Sequence, residues 1–331
     1  MNDMVISELQ PKKSVSNFET GVLIEKTGFS VGSLDNPGDI EKGVDLMVNG
    51  DVIAAQWGNV FGLWMDASNN QAVKKIIEAK GEKNKTRTFT SMLETGFFLG
   101  LIDRNRIPPE FAKLIRTSAY FKKRVGALCH FRVPVRQELV DRHSIPSSIV
   151  SVKDEVPYLQ HLEPAGHPLM HRFIDNAGKK GVSFVAVTSL NDVSKDEKEI
   201  TQTGRAIEFC QEKGISLLLT DPLFRAQDAM GSFSILEVSK EGLRAVRNGN
   251  VPTDVLEQIF EMQIVSTGVK EAKYSGSKYY NQFEKKYGHL SPELKRTVVI
   301  LHNMGYGDKE IEGRVQKVRG GRRHISHIRT A

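Results

Sequence analysis

Cations interleaved with aromatic rings are the first chemistry this chain offers. Arg116, Lys122, Lys123, Arg124, Arg132 and Arg136 share one stretch with Tyr120, Phe121 and Phe131. Such cations pair with phosphates, and rings stack on unpaired bases. Lys122, Lys123, Arg124 and Arg132 are therefore candidate nucleic-acid contacts on the rim of a cleft. A solvated helix face over apolar partners would carry the same residues. A second basic group closes the chain: "GRVQKVRGGRRHISHIRTA" holds Arg314, Lys317, Arg319, Arg322, Arg323 and Arg329 and no acid. That tail accounts for the whole formal net charge of +6, and it suits either phosphate neutralisation or a solvated terminus.

Other reactive residue types lack partners. His167 and His171 are four apart on an expected helix, with His161 nearby, but no carboxylate or cysteine completes a metal site; capping or surface histidines are the expectation. Cys129 and Cys210 sit in apolar-periodic segments, which fits small buried residues better than nucleophiles. No P-loop, G-x-S-x-G or dinucleotide fingerprint occurs. With two cysteines, no secretory pattern in "MNDMVISELQPKKS" and no long apolar run, a cytoplasmic, reducing setting is expected.

The elements that would position these groups alternate. "VDLMVNG" and "NNQAVKKIIEAKG" read as helices around a buried strand, "DVIAAQW", with a glycine turn between strand and second helix. A helix is expected over "PPEFAKLIRTSAYFKKR", and strands over "GALCHFRVPV" and "SSIVSV". "GHPLMHRFIDNAGKKG" reads as a helix leading into the apolar run "VSFVAVTS". A helix over "KDEKEITQTGRAIEFCQEKG", strands over "ISLLLTD" and "SFSILEVS", and a helix over "PTDVLEQIFEMQ" complete an α/β pattern with a mixed sheet. The expected organisation is an N-terminal arm (1–17), an α/β domain (18–263), a polar basic linker (264–290) and a helical extension with the basic tail (291–331). The extension has a helix-turn-helix outline across Gly305–Gly307, which leaves open DNA or RNA recognition as well as a packing or oligomerisation arm.

From about residue 36 to 263 the chain resembles the YrdC-like family of the threonylcarbamoyl-AMP synthase type. The family's opening signature, P-T-D-T-x-Y-G-L before an acidic residue and a helix ending K-x-R, aligns with "QWGNVFGLWMDASNNQAVKKIIEAKGEKNK". Gly62, Leu63, Asp66, Ala67, Ala72, Val73, Ile76 and Lys80 match it. Ser189 and Asn191 fall on the family's S-A-N motif, and Ser234, Arg247 and Gly249 on its later strand and R-x-G. The resemblance implies a twisted mixed sheet flanked by helices, a basic concave cleft, ATP as cofactor with magnesium as an optional counter-ion, and double-stranded RNA or tRNA as partner. It assigns Lys80 to catalysis and Lys80, Ser189, Asn191, Ser234 and Arg247 to the nucleotide.

Adenylation asks a protein mainly for cations on the phosphates and polar groups that align the reactants. The departures from the signature fall mostly on the small-substrate side, with one, at Glu82, where the phosphates would be expected. Gln56, Trp57, Gly58 and Asn59 replace P-T-D-T, Phe61 replaces the tyrosine, and Glu82 reverses the second cation of K-x-R. Lys83, Lys85 or Arg87 could compensate from the same loop. Trp57, Asn59 and Phe61 thus define an altered substrate pocket. Two readings stay open: a nucleotide- and RNA-binding protein, with nucleotidyl transfer to a carbamoyl acceptor if active, or a non-catalytic nucleic-acid-binding protein using cleft and tail.

Overall fold

The structure is a computed structural model that describes residues 28–58, 60–81, 88–195, 199–224, 232–266, 270–271, 283–303 and 306–316. Asn59, Glu82, Lys83, Lys85, Arg87, Arg319, Arg322, Arg323 and the arm 1–17 lie outside the described residues.

The first half runs β1 (Ser30–Ser33), α1 (Pro37–Val48), β2 (Ile53–Trp57), β3 (Val60–Asp66), α2 (Asn70–Ala79), β4 (Thr90–Ser91), α3 (Thr95–Leu101) and α4 (Pro109–Leu114). It continues with α5 (Ser118–Val125), β5 (Cys129–Pro134), α6 (Gln137–Arg142), β6 (Val150–Lys153) and β7 (Val156–Leu162). The second half holds α7 (Pro168–Lys179), β8 (Val185–Ser189), α8 (Thr203–Glu212), β9 (Leu217–Thr220), β10 (Ser234–Ser239) and β11 (Gly242–Asn248). After it come α9 (Thr253–Phe260), β12 (Ile264–Val265), β13 (Lys270–Glu271), α10 (Phe283–Tyr287) and α11 (Pro292–Asn303). A last helical segment, α12, covers 308–316.

All described strands join one mixed sheet in the order β1-β9-β2-β3-β8-β4-β7-β5-β10-β11-β12, with β6 beside β7 and β13 beside β11. The mixed α/β architecture expected from the sequence is the one observed. Every residue of β2 is buried, which is why it reads as a continuous apolar run rather than an alternating one.

The differences have local causes. The expected glycine turn at 58–62 is a hairpin: Gly58, at φ +56°, reverses the chain, and β3 pairs antiparallel with β2. The single helix expected over 108–124 is two, because Thr117 leaves the helical path to cap α5, its side chain accepting from Tyr120 N at 3.1 Å. Residues 264–290, expected as linker, contribute two short strands beside β11 and helix α10.

The helical extension shares the main core. Helix α11 packs on α9 and α5, and Val298, Val299 and Leu301 are wholly buried. Arg296, also buried, donates from Nε and an Nη to the Gly126 carbonyl at 3.3 and 3.0 Å. Burial on α11 pushes His302 down to about 4, with Asp308 opposing the shift. A histidine kept neutral in the fold but titrating near 6.5 when unfolded stabilises fully above about pH 6.5. That contribution is lost as pH falls toward 4, at about 1.4 kcal/mol per pH unit. Urea unfolding should therefore weaken between about pH 6.5 and 4.5, before ordinary carboxylates titrate, and His302→Gln should flatten part of that slope.

Candidate functional site

A cavity of about 430 Å³ opens where β3, β8, β4, β7, β5 and β10 converge. Alternation along β5 explains its chemistry. His130 and Arg132 face the cavity, whereas Phe131 turns to the other side, against Phe111, Phe121 and Phe260. Trp57 and Phe61 line it, together with Trp64 and Phe233. None of the described lining residues is acidic.

The polar floor is ordered by one amide. Arg132 donates to Gln160 Oε1 at 3.1 Å, which fixes that side chain's orientation. Gln160 Nε2 then donates to Thr90 Oγ1 at 2.6 Å and to His130 Nδ1 at 3.1 Å. Nδ1 is thus the acceptor, and the imidazole proton sits on Nε2. Burial, followed by the electrostatic influence of Arg247, His161 and Arg132, holds His130 well below its ordinary value of 6.5, so the ring is neutral. Among the described residues, His130 Nε2 and the fully buried Trp64 Nε1 have no hydrogen-bond acceptor.

Lys80, Ser189 and Asn191 are brought together, with Lys80 inside the fold. Helix α2 ends at Ala79 with Lys80 as its C-cap, and Gly81, at φ +61°, turns the chain away. The Lys80 side chain is 0% exposed and Nζ donates to Ser189 O at 2.8 Å, Asn191 Oδ1 at 2.8 Å and Asn191 O at 3.3 Å. Ser189 Oγ donates to the same Oδ1 at 2.7 Å and lines the cavity; Lys80 is not a lining residue. The loop after β8 is pinned again by Asp192, whose carboxyl is held at about 2 by Lys213 and Ser194.

Ser234 is buried too. Its Oγ donates to Val251 O at 2.6 Å and accepts from Gly249 N at 2.8 Å, so it shapes the turn that follows Arg247. Arg247 lines the cavity and donates from Nε and an Nη to Phe233 O at 3.1 and 2.7 Å. A Cβ at Gly249 would run into the backbone of Ser232, Phe233 and Ser234. Gly249→Ala is expected to destabilise the fold by about 3 kcal/mol, read as a lower urea midpoint at unchanged m-value.

The basic cluster expected on the cleft rim divides. Arg132 belongs to the cavity, but Lys122, Lys123 and Arg124 lie on α5, which packs through Phe121 on the face of β5 opposite His130 and Arg132. Arg124 is buried and paired with Glu261 at 2.8 Å and Glu293 at 3.6 Å, and Lys123 approaches Glu293 at 3.9 Å. Arg124 thus ties α5 to the end of α9 and, with Lys123, to α11, and the helix that carries all three lies on the face of the sheet away from the cavity, which corrects their placement at the cleft. Sequence reading missed Trp64, Thr90, His130, Gln160 and Phe233. The alternation of His130 and Arg132 was available as a signal, whereas β4 and β7 were too short or too mixed to announce theirs.

Two constellations are structural. Ser91, His161 and Glu163 have the types of a hydrolytic triad, at 3.4 Å (Oγ to Nδ1) and 3.7 Å (Nε2 to Oε2). All three are at most 1% exposed, and Ser91 Oγ donates to Gln160 O at 3.0 Å, so no substrate carbonyl can reach the hydroxyl. His167 caps α7 through Nδ1 and binds Asp221 through Nε2 at 2.6 Å. Among the described residues no group of three or more His, Cys, Asp or Glu could hold a metal ion. No described helix is long and apolar enough to cross a membrane.

The same architecture recurs in solved structures. A doubly substituted P. abyssi Sua5 matches with a TM-score of 0.53 and 17% identity, over 71% of this chain and 65% of that one. P. abyssi Sua5 complexed with L-threonine matches with a TM-score of 0.50 and 18% identity, over 72% and 63%. The matches thus span somewhat under two thirds of those chains, and they show a shared fold. No protein-family model and no curated protein matches the chain.

Proposed function

We propose that this chain, a divergent protein of the YrdC-like fold, is a nucleotide-binding protein whose phosphate side is the Arg132–Arg247 end of the cavity. The observation that carries this reading is a cavity of about 430 Å³ with two guanidiniums and no acidic side chain among its described lining residues. Anions suit such a site, since a charge-assisted bond from arginine is stronger than a neutral one. ATP is the proposed cofactor. Magnesium would arrive on the phosphates, because the described lining offers it hydroxyls and no carboxylate.

Burial of Lys80 favours binding over adenylation, since its ammonium faces protein acceptors rather than the cavity. Calorimetry should show ATP binding, weakened about tenfold to a hundredfold by Arg247→Gln. ATP–pyrophosphate exchange with threonine and bicarbonate should stay at background. Absence of ATP binding by the intact chain would overturn the reading, and robust exchange would restore the enzymatic one.

RNA is the proposed partner of the open face, on a separate observation. Glu237 is surrounded by Lys153 at 2.7 Å, Arg244 at 2.9 Å and Arg132 at 3.5 Å, leaving an excess of positive charge beside the cavity. RNA affinity that falls steeply with salt, and less steeply after Lys153→Ala and Arg244→Ala, is the expected result. A salt slope unchanged by both substitutions would move the contact elsewhere, to the tail bearing Arg319, Arg322 and Arg323.

A further inference from the structure

The aromatic end of the cavity has a chemistry unlike that of a small hydroxy amino-acid site. Trp64, Trp57, Phe233 and His130 form a chain of rings with centroids 6.2, 6.1 and 5.6 Å apart. His130 stacks on Phe233, and Trp57 meets Phe233 edge-on. Rings so placed offer dispersion contacts to a flat apolar body and little to a short polar one.

The register of the sheet sets the charge beside these rings. Ile235 pairs with His130 on one side and with Arg247 on the other, so the imidazole and the guanidinium flank one lining residue. The His130 Nε2 proton has no acceptor among the described residues, nor has that of Trp64 Nε1. A buried donor left without an acceptor costs about 1–3 kcal/mol, a cost that a ligand oxygen would remove. An amino acid's ammonium would find no described carboxylate in the lining.

We propose that this end of the cavity binds an aromatic carboxylic acid lacking an α-ammonium group, its ring among Trp57, Phe61 and Phe233 and its carboxylate on His130 Nε2 and Arg247. This deepens the reading of the cavity as a ligand site, and it names a substrate class other than threonine.

The chain carries its own reporter, because its two tryptophans, Trp57 and Trp64, both line the cavity. Intrinsic tryptophan fluorescence of the full chain is titrated with hydrocinnamate, with L-phenylalanine, which adds the ammonium, and with hydrocinnamyl alcohol, which removes the charge. L-threonine, adenosine and ATP complete the series. Hydrocinnamate should change the emission saturably, with an affinity at least tenfold above those of L-phenylalanine, the alcohol and L-threonine. Arg247→Gln, with circular dichroism unchanged, should remove most of that advantage.

Equal binding of acid, amino acid and alcohol would overturn the inference. So would tighter binding of L-threonine or adenosine than of the acid. ATP binding with no response to hydrocinnamate would overturn this inference while leaving the nucleotide reading intact. The reverse result would uphold the inference and remove the nucleotide. Silence toward every ligand would overturn both.

Discussion

A chain ended at Val265 is expected not to reach the native state, although the cavity lies wholly upstream of that point. The reason is where the extension is buried. Phe283, Val298, Val299, Ile300, Leu301 and Ile311 are each at most 4% exposed, on helices that follow the cut. At about 2 kcal/mol per buried side chain their gross contribution exceeds 10 kcal/mol, comparable with the net 5–15 kcal/mol of an ordinary domain. The cut also leaves Arg124 without Glu293 and the Gly126 carbonyl without Arg296. Expressed alone, residues 1–265 should be insoluble or lack near-ultraviolet circular dichroism, whereas residues 1–316, which keep every described residue, should unfold cooperatively. A cooperative transition in the shorter chain at the full chain's midpoint would show that α11 and its neighbours are dispensable. In the helix-turn-helix outline across Gly305–Gly307, α11 is the first helix, and its burial shows that this half of the outline packs on the main core.

How much of this was legible in the sequence depended on what kind of signal each element carries. β2, β8, β9, α2, α7 and α9 announce themselves because burial imposes a periodic or continuous apolar pattern on their own residues. β4 spans two residues, and β7 alternates tyrosine, glutamine and leucine on the cavity side, so neither is visible until the sheet is assembled. The candidate site divides likewise. Type and motif position indicated Trp57, Phe61, Ser189 and Arg247, which line the cavity. They could not indicate which way a side chain turns. Lys80 and Ser234 share motif blocks with lining residues yet point into the protein, and Arg124 shares a basic run with solvent-facing neighbours yet is sealed by two carboxylates. Gln160 lay in no motif, and its role emerges only from the three strands that bring Thr90, His130 and Arg132 within reach.

Replacing Lys80 separates a phosphate ligand from a structural cation, and the expected result is a loss of stability. Lys80→Ala removes the ammonium that bonds Ser189 O, Asn191 O and Asn191 Oδ1, of which Oδ1 keeps the Ser189 hydroxyl as a donor. It also vacates the space of a side chain that is 0% exposed. The lost charge-assisted hydrogen bonds together with the cavity should lower the unfolding free energy by about 3–5 kcal/mol. Lys80→Met keeps most of the aliphatic volume and removes the donors alone, so it should recover part of that loss and isolate the hydrogen-bonding share. Urea midpoints of the three proteins give the comparison, and an ATP titration well below the midpoint gives the control. Affinity should change little so long as the variant is folded, because Ser189 rather than Lys80 faces the cavity. A variant that keeps wild-type stability while losing ATP would reverse the assignment and put the Lys80 ammonium on the phosphates. The fold favours the first outcome for a specific reason: the Lys80 carbonyl accepts from Val193 N at 2.9 Å, so backbone and side chain of one residue clamp both sides of the loop at Asn191.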